Sequence, residues 1–207
     1  MPSASPKASR IEAFSDGVIA IVLTIMVLEL KVPEQVGEQG IGLGLLTSLL
    51  PKLVPYIMSF IVIAIMWVNH HRLLDAAHRA DNTLLWANIH LLFWMTLIPI
   101  STAFVGQHLF EPVAIAAYGF VLTGRSTAFT LLRWCVTRDE RGMLSARYAA
   151  SVKKSVIATV IYGASIPLAY ISVYLSMAIF VILPALFVLP DFLLPRWAVN
   201  APEKRRR

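Results

Sequence analysis

The fold is decided by residues 10–31, which read RIEAFSDGVIAIVLTIMVLELK. A helix needs roughly 20 mostly apolar residues to cross the hydrocarbon layer of a bilayer, which is ~30 Å thick. Residues 13–30 meet that requirement and predict a membrane-spanning helix. We do not expect a cleaved signal peptide here, because the stretch lacks a small-residue cleavage site and carries Glu12, Asp16 and Glu29 among its apolar residues.

Five further segments of the chain are apolar over a comparable length. They lie at residues 51–69, 84–105, 112–134, 150–172 and 174–190. The 207 residues are 57% hydrophobic and only 14% charged, whereas a soluble domain is about 25% charged. We therefore predict an all-α integral membrane protein with six transmembrane helices, in which residues 1–195 form a single membrane domain and residues 196–207 a basic tail.

Basic residues lie beside the apolar segments in four clusters, and these clusters predict the orientation of the chain in the membrane. The members are Lys7, Arg10; Arg72, Arg79; Arg133, Arg138, Arg141, Arg147, Lys153, Lys154; and Arg196, Lys204, Arg205, Arg206, Arg207. With six spans and a cytoplasmic N-terminus, all four clusters fall on the cytoplasmic side, as the positive-inside rule requires. Both termini are then cytoplasmic, and the acidic residues Glu34, Glu38 and Glu111 face outward. This distribution accounts for the net charge of +6 without a nucleic-acid partner.

Steps of four and three residues along the first helix define one stripe. Its members are Gly17, Ile21, Thr24, Leu28 and Lys31. In a monomer this stripe is an ordinary packing face. In a symmetric oligomer with the helix around the axis, Ile21 and Leu28 form hydrophobic constrictions and Thr24 offers a ring of oxygens to a cation. Periodicity does not choose between the two interpretations.

Asp16 is a costly residue for a spanning helix. An aspartate near the bilayer centre costs about 2.5–3.5 kcal/mol on insertion scales, and less near the interface. Asp16 should therefore face protein or water. One interpretation is that Ser15 and Asp16 cap the start of the helix, where an oxygen acceptor satisfies free N–H groups. The other is that Asp16 holds this helix against a neighbouring one.

Several motifs resemble those of the bacterial relatives of the lysosomal potassium channel family known as transmembrane protein 175. Residues 10–17 carry the pattern RxxxFSDG, followed by VIAIVLTIMVLEL at residues 18–30. The stretch WVNHHR at residues 67–72 is similar to the end of that family's second helix. Asn88 and the run LLFWMTLIPISTAF at residues 91–104 are similar to its third span.

The resemblance implies a potassium-permeable channel in a bacterial plasma membrane. A single six-helix repeat implies a homotetramer, with four copies of helix one lining a central pore. By position, Ile21 and Leu28 match the apolar pore constrictions, and Thr24 matches the hydroxyl layer at which K⁺ is transiently held. Hydroxyl rings supply fewer ligands than a carbonyl filter, so we expect only a modest preference for K⁺ over Na⁺.

The resemblance also assigns a motif and gating network. Its members are Arg10, Phe14, Ser15, Asp16, Trp67, Asn69, His70, His71 and Arg72. We expect Asp16 to pair with Arg10 or Arg72. We also expect its carboxylate to accept a hydrogen bond from His70 or His71, so that the cluster clamps helix one. The alternative is that these residues only snorkel to the interface and cap helix ends.

Two other classes of function, a metal-dependent enzyme and a transporter, have weaker support in the sequence. His70, His71, Asp75 and His78 could be metal ligands, but the spacing typical of catalytic sites, such as HExxH, is missing. We therefore expect no metal, no cofactor and no enzyme activity. A proton-coupled secondary transporter using Asp16 and the His70/His71 cluster is the alternative, although no internal repeat of the transporter type is visible.

Arg125 falls midway along the fourth predicted span, where an unpaired guanidinium is expensive. Two explanations are open. Either this helix is cut short and Arg125 lies near the inner interface, or Arg125 meets an acid such as Asp16.

Overall fold

The computed structural model describes residues 6–30, 43–75, 77, 81–138 and 146–193, and within them the chain is α-helical. The helices are α1 (Pro6–Leu28), α2 (Leu43–Asp75), α3 (Asn82–Thr96), α4 (Ile98–Gln107), α5 (Pro112–Thr137), α6 (Ala146–Ile171) and α7 (Val173–Leu193). The prediction of an all-α membrane protein is confirmed. Several predicted features lie outside the described residues: Glu34, Glu38, His78, Arg79, Arg141 and the tail 196–207.

Five stretches are long and apolar enough to cross a membrane. They are Ser9–Leu28, Leu49–Asp75, Asn82–Gln107, Pro112–Thr137 and Ser151–Ile171. The sixth predicted span corresponds to α7, whose described apolar stretch, Val173–Ala185, is shorter than the other five. The first five predicted segments therefore coincide with helices of spanning length, and the sixth coincides with a shorter apolar helix.

The third predicted span is divided into two helices rather than forming one continuous helix. Pro99 has no N–H to donate to the carbonyl four residues earlier, so the ladder of hydrogen bonds is broken there. Leu97 separates α3 from α4, and its N–H bonds back to the carbonyl of Trp94 at 3.3 Å. Regular bonding resumes when the N–H of Ser101 reaches the carbonyl of Leu97 at 3.1 Å.

The predicted division between the last two apolar segments is confirmed at Ser172. This residue is the only one between α6 and α7, and its N–H bonds to the carbonyl of Leu168 at 2.8 Å. Across the corner, the buried hydroxyl of Ser176 donates to the carbonyl of Ser165 at 2.8 Å. Pro167 lies within α6, one turn before the corner.

Helix α1 begins earlier than expected, at Pro6 rather than near residue 13. Ser15 and Asp16 consequently lie well inside the helix, and the hydroxyl of Ser15 donates to the carbonyl of Ile11 at 2.8 Å. A serine bonded to the carbonyl four residues earlier is a residue of the helix interior. The interpretation of Ser15 and Asp16 as a cap of the helix start is therefore wrong.

Two clusters of buried apolar side chains hold the helices together. The first packs α1 through Ile19, Val22 and Met26 against α2, α3 and α5. The second joins α5, α6 and α7, with the rings of Tyr118 and Phe180 in edge contact at 5.1 Å between centroids. Helix α1 is thus attached along one side only, and that attachment determines which of its residues remain exposed.

Candidate functional site

Helix α1 presents one buried face to the rest of the protein. Ser15, Ile19, Val22 and Met26 are buried, and their spacing of four, three and four residues places them on one side of the helix. The three apolar members belong to the first core cluster. This is the packing face of α1, and it is not the stripe singled out in the sequence.

The stripe of Gly17, Ile21, Thr24 and Leu28 lies on the opposite side of α1. At 100° per residue, the centre of this stripe is roughly 160–170° from the centre of the buried face. All four residues are exposed in the protomer, Ile21 by 56% and Leu28 by 70%. The hydroxyl of Thr24 points back to the carbonyls of Ile21 at 2.9 Å and Ala20 at 3.1 Å.

A buried chain of hydrogen bonds attaches α1 to α2 and α3. The side-chain amide of Asn88 donates to Ser15 Oγ at 2.8 Å, and Asn88 Oδ1 lies 2.8 Å from His70 Nε2. Because an amide oxygen can only accept, His70 is the donor and its Nε2 carries the hydrogen. All three residues are fully buried, and His70 Nδ1 has no partner.

The carboxylate of Asp16 is held by α2. Trp67 Nε1 donates to Asp16 Oδ1 at 2.8 Å. The expectation that His70 or His71 donates to Asp16 is not met, because His70 bonds to Asn88 and His71 faces Glu12. The other expected partners, Arg10 and Arg72, have exposed side chains.

A second acidic residue of α1 contacts α2 one turn away. His71 Nδ1 lies 2.5 Å from Glu12 Oε1, and His71 Nε2 lies 3.7 Å from Asp75 Oδ2. The ligand atoms of these three residues fall within 4.8 Å of one another and could hold a metal ion. However, the two carboxylates approach opposite nitrogens of the His71 imidazole. A single metal ion would be bound by only one of those two nitrogens. The arrangement fits an imidazole held between two carboxylates.

The contacts between α1 and α2 form an antiparallel ladder. Glu12 and Asp16 are one turn apart on α1, and they meet His71 and Trp67, which are one turn apart on α2. The rings of Trp67 and His71 stack at 6.0 Å between centroids, which completes the ladder.

The remaining members of the predicted network have separate positions. Phe14 is 58% exposed on α1. Asn69 donates to the carbonyl of Ile65 at 2.9 Å, within its own helix. The sequence resemblance identifies Asn88 without assigning it a partner, and it gives Glu12 no role. The spacing of four residues in both Glu12/Asp16 and Trp67/His71 was the available indication of a shared face.

The structure overturns the shortened helix as an explanation for Arg125, and it gives Asp16 a different partner. Helix α5 is continuous to Thr137, so it is not cut short at Arg125. Arg125 is only 8% exposed, and its guanidinium lies over the ring of Tyr162 at 5.6 Å. Among the residues whose side chains the structure describes, no carboxylate forms an ion pair with it, and Asp16 is bonded to Trp67 instead.

The chain resembles known channel proteins in sequence and in structure. Residues 10–99 match the family model described as the endosomal/lysosomal potassium channel TMEM175. A protein described as a potassium channel, from Chryseobacterium sp. (strain P1-3), is 38% identical over 183 residues, covering 88% of this chain and 93% of the relative. The rat protein described as the endosomal/lysosomal proton channel TMEM175 is 29% identical over 90 residues, covering 44% of this chain and 18% of that protein.

A solved structure extends the likeness to the whole fold. The crystal structure of a lysosomal potassium-selective channel TMEM175 homolog from Chamaesiphon minutus superposes with a TM-score of 0.78 at 34% sequence identity. The match covers 89% of this chain and 97% of that one. The similarity therefore includes the helices that lie beyond the family-model match. From its motifs, its helical fold and these full-length similarities, the chain belongs to the TMEM175 family of ion channels.

Proposed function

We propose that four copies of this chain form a potassium-permeable cation channel, with α1 of each copy lining a central pore. The observation that carries the proposal is the position of the stripe Gly17, Ile21, Thr24 and Leu28. It lies at the middle of the exposed face of α1, opposite the buried face. The relatives that are similar over nearly their full length are described as potassium channels, which supports the same function here.

The two apolar members of the stripe suit a gate. Ile21 and Leu28 are two turns apart and project their side chains away from the protomer. Around a four-fold axis, each would form a ring of branched apolar side chains. A narrow apolar ring opposes the flow of ions because water leaves it readily, so small changes in its diameter control conduction.

Thr24 supplies the polar layer between these rings. Its hydroxyl hydrogen is used in the bonds to the carbonyls of Ala20 and Ile21. The oxygen therefore keeps lone pairs for a cation, and four such oxygens would partly replace its hydration shell. A single ring has fewer ligands than a stack of carbonyl rings, so we expect a modest preference for K⁺ over Na⁺.

The ladder between α1 and α2 would control the position of the cytoplasmic end of the pore-lining helix α1. We infer that its contacts, Asp16 with Trp67 and Glu12 with His71, lie at the cytoplasmic end, which places both termini in the cytoplasm. Residues 1–195 then form one membrane domain and residues 196–207 a basic tail near the lipid headgroups. The likeness to bacterial relatives favours a bacterial plasma membrane.

The test is K⁺ flux from liposomes that contain the purified protein. Wild type should conduct K⁺, and Leu28→Ala should conduct several-fold more because it widens an apolar ring. Thr24→Val keeps the shape of the side chain and removes the oxygen, so it should reduce the discrimination between K⁺ and Na⁺. Thr24→Ala should have the same effect on selectivity.

The matched control is Leu175→Ala, which shortens a comparably exposed leucine on α7. Its flux should equal that of wild type. If Leu28→Ala and Leu175→Ala behave alike, α1 does not line the pore. Absence of K⁺ flux in correctly reconstituted wild type refutes the channel itself.

The alternative is a proton-coupled transporter that uses Asp16 and the His70/His71 cluster. The observation in its favour is the fully buried His70, whose Nδ1 has no hydrogen-bond partner and could accept a proton. A transporter predicts K⁺ movement that saturates and follows an imposed proton gradient. A channel predicts flux that follows the K⁺ gradient when no proton gradient exists.

A further inference from the structure

A cavity far from the α1 stripe lies among α2, α5, α6 and α7. It offers about 60 Å³ to the centres of water-sized groups, which is room for a few waters or one small oxyanion. Its polar lining consists of Asn69, Arg125, Ser126, Arg133, Ser155 and Tyr162. Its apolar lining includes Phe129 and Pro184. The cavity thus combines two cationic groups and several hydroxyls with an apolar wall.

The two guanidinium groups in this cavity are incompletely bonded. Arg125 is more than nine-tenths buried, and its Nε has no hydrogen-bond partner. The Nε of Arg133 is also buried without a partner, although its Nη1 donates to the carbonyl of Ser151 at 2.9 Å and to the Ser151 hydroxyl at 2.7 Å. Both groups otherwise lie against aromatic rings, Arg125 over Tyr162 and Arg133 over Phe129.

The buried charge of Arg125 and the partly buried charge of Arg133 require compensation in a membrane domain. An ionised side chain removed from water is expensive unless an opposite charge or strong hydrogen bonds replace the lost hydration. Among the residues whose side chains the structure describes, which do not include Asp191, no carboxylate forms an ion pair with Arg125 or Arg133. The aromatic contacts contribute on the order of 1–2 kcal/mol each, which does not replace a counter-charge.

We propose that this cavity binds a phosphate-type oxyanion between Arg125 and Arg133. The planar guanidinium fork matches the oxygens of a phosphate, and hydroxyls such as those of Ser155 and Tyr162 can donate to the remaining oxygens. Arg125 and Arg133 are separated by two turns of α5, roughly 12 Å, so their side chains can reach one group from either side. The apolar wall favours a lipid headgroup as the source of the phosphate, with free inorganic phosphate as the other source.

The first experiment counts the phosphate-bearing lipid retained by the full-length protein. The protein is purified in neutral detergent, and bound phospholipid is measured by mass spectrometry for wild type, Arg125→Gln and Arg125→Lys. Wild type should retain an anionic phospholipid, and Arg125→Gln should bind it roughly ten- to hundredfold more weakly, the range for losing charge-assisted hydrogen bonds. Arg125→Lys, which keeps the charge and loses the fork, should lie between them.

The second experiment distinguishes the two sources of phosphate. Thermal unfolding is followed while phosphatidylglycerol or inorganic phosphate is added to protein in neutral lipid. A rise in melting temperature with phosphatidylglycerol alone assigns the site to lipid, and a rise with inorganic phosphate alone assigns it to the free ion. The matched control is Lys153→Gln, which removes one exposed positive charge from α6 and should leave both responses intact.

The proposal is overturned if neither probe binds wild type more tightly than it binds Arg125→Gln. Arg133→Gln provides the same comparison if Arg125→Gln cannot be purified. Asp191, on α7, has a side chain outside the described residues and is the nearest acid along that helix to the cavity-lining Pro184. If Asp191 supplies the counter-charge, Asp191→Asn acquires phosphate binding that wild type lacks, which also refutes the proposal.

Discussion

Replacing Asn88 with leucine, whose side chain has the same number and branching of heavy atoms, removes two buried hydrogen bonds without leaving a large cavity. Asn88 bonds to His70 Nε2 and to Ser15 Oγ, each at 2.8 Å, and all three residues are fully buried. In Asn88→Leu the N–H of His70 loses its acceptor and no water reaches it. Ser15 is affected less, because its hydroxyl still donates to the carbonyl of Ile11. The loss at His70 should therefore dominate the effect on stability.

The expected magnitude follows from these two losses. A buried donor left without a partner costs about 1–3 kcal/mol, and an ordinary hydrogen bond contributes about 0.5–1.5 kcal/mol. We expect Asn88→Leu to lower the free energy of unfolding by about 2–4 kcal/mol, or the melting temperature by on the order of 10 °C. Coupling energies between polar residues in membrane helices average about 0.6 kcal/mol with a maximum near 1.7. The complete burial of Asn88 and His70 places their coupling in the upper part of that range.

The assay is a double-mutant cycle with Asn88→Leu, His70→Phe and the double variant, measured by reversible unfolding in mixed micelles. The control is His90→Phe on the same helix, since His90 is exposed and only accepts a bond from Trp94. This control should cost less than about 1 kcal/mol. A coupling between Asn88 and His70 below about 0.3 kcal/mol, the limit of additivity, would refute the assigned hydrogen bond.

Two further substitutions test the packing of α5 and the attachment of α1. Gly124→Ala should destabilise the protein by about 1–3 kcal/mol, because the added methyl group would overlap the indole ring of Trp94; thermal unfolding measures the loss. Trp67→Phe removes the hydrogen bond to Asp16 and keeps an aromatic ring, so it should cost about 1 kcal/mol in the same assay.

Each of these substitutions has a matched control in the chain. Gly163→Ala adds a methyl group that meets only the methyl of Thr123 at 3.8 Å, an ordinary contact, and it should leave stability nearly unchanged. Trp86→Phe alters a tryptophan that is 68% exposed. If Gly124→Ala is as stable as Gly163→Ala, the close approach of α3 to α5 is not as described. Equal effects of Trp67→Phe and Trp86→Phe would argue against the bond to Asp16.

The membrane-spanning segments could be predicted from the sequence because hydropathy responds directly to the apolar environment that a span requires. The ends of the helices could not. Helix α1 starts at Pro6 and α2 continues to Asp75, beyond the predicted 13–30 and 51–69 segments. Backbone hydrogen bonding continues where the side chains become polar, and a hydropathy pattern records only the change in the side chains.

The orientation of individual side chains around each helix was the other quantity that the sequence did not determine. The topology placed Asp16 and residues 69–72 at one depth, which allowed several pairings. Rotation of α2 decides among them: Trp67 and His71 face α1, whereas His70, on another side of the helix, faces Asn88. The neighbouring residues His70 and His71 therefore have different partners. His71 is exposed, whereas His70 is fully buried.

The pairings between α1 and α2 show what determines that rotation. In antiparallel helices, a step along one helix is matched by an equal step backwards along the other, so the residue numbers of contacting pairs have a constant sum. Glu12 with His71 and Asp16 with Trp67 satisfy this condition. Two polar pairs one turn apart fix both the depth and the rotation of α1 against α2, because a shift by a single residue would separate both pairs. With this face fixed, Thr24 is directed away from the protomer, and the polar contacts at one end of α1 thereby set which residues it can offer to a pore.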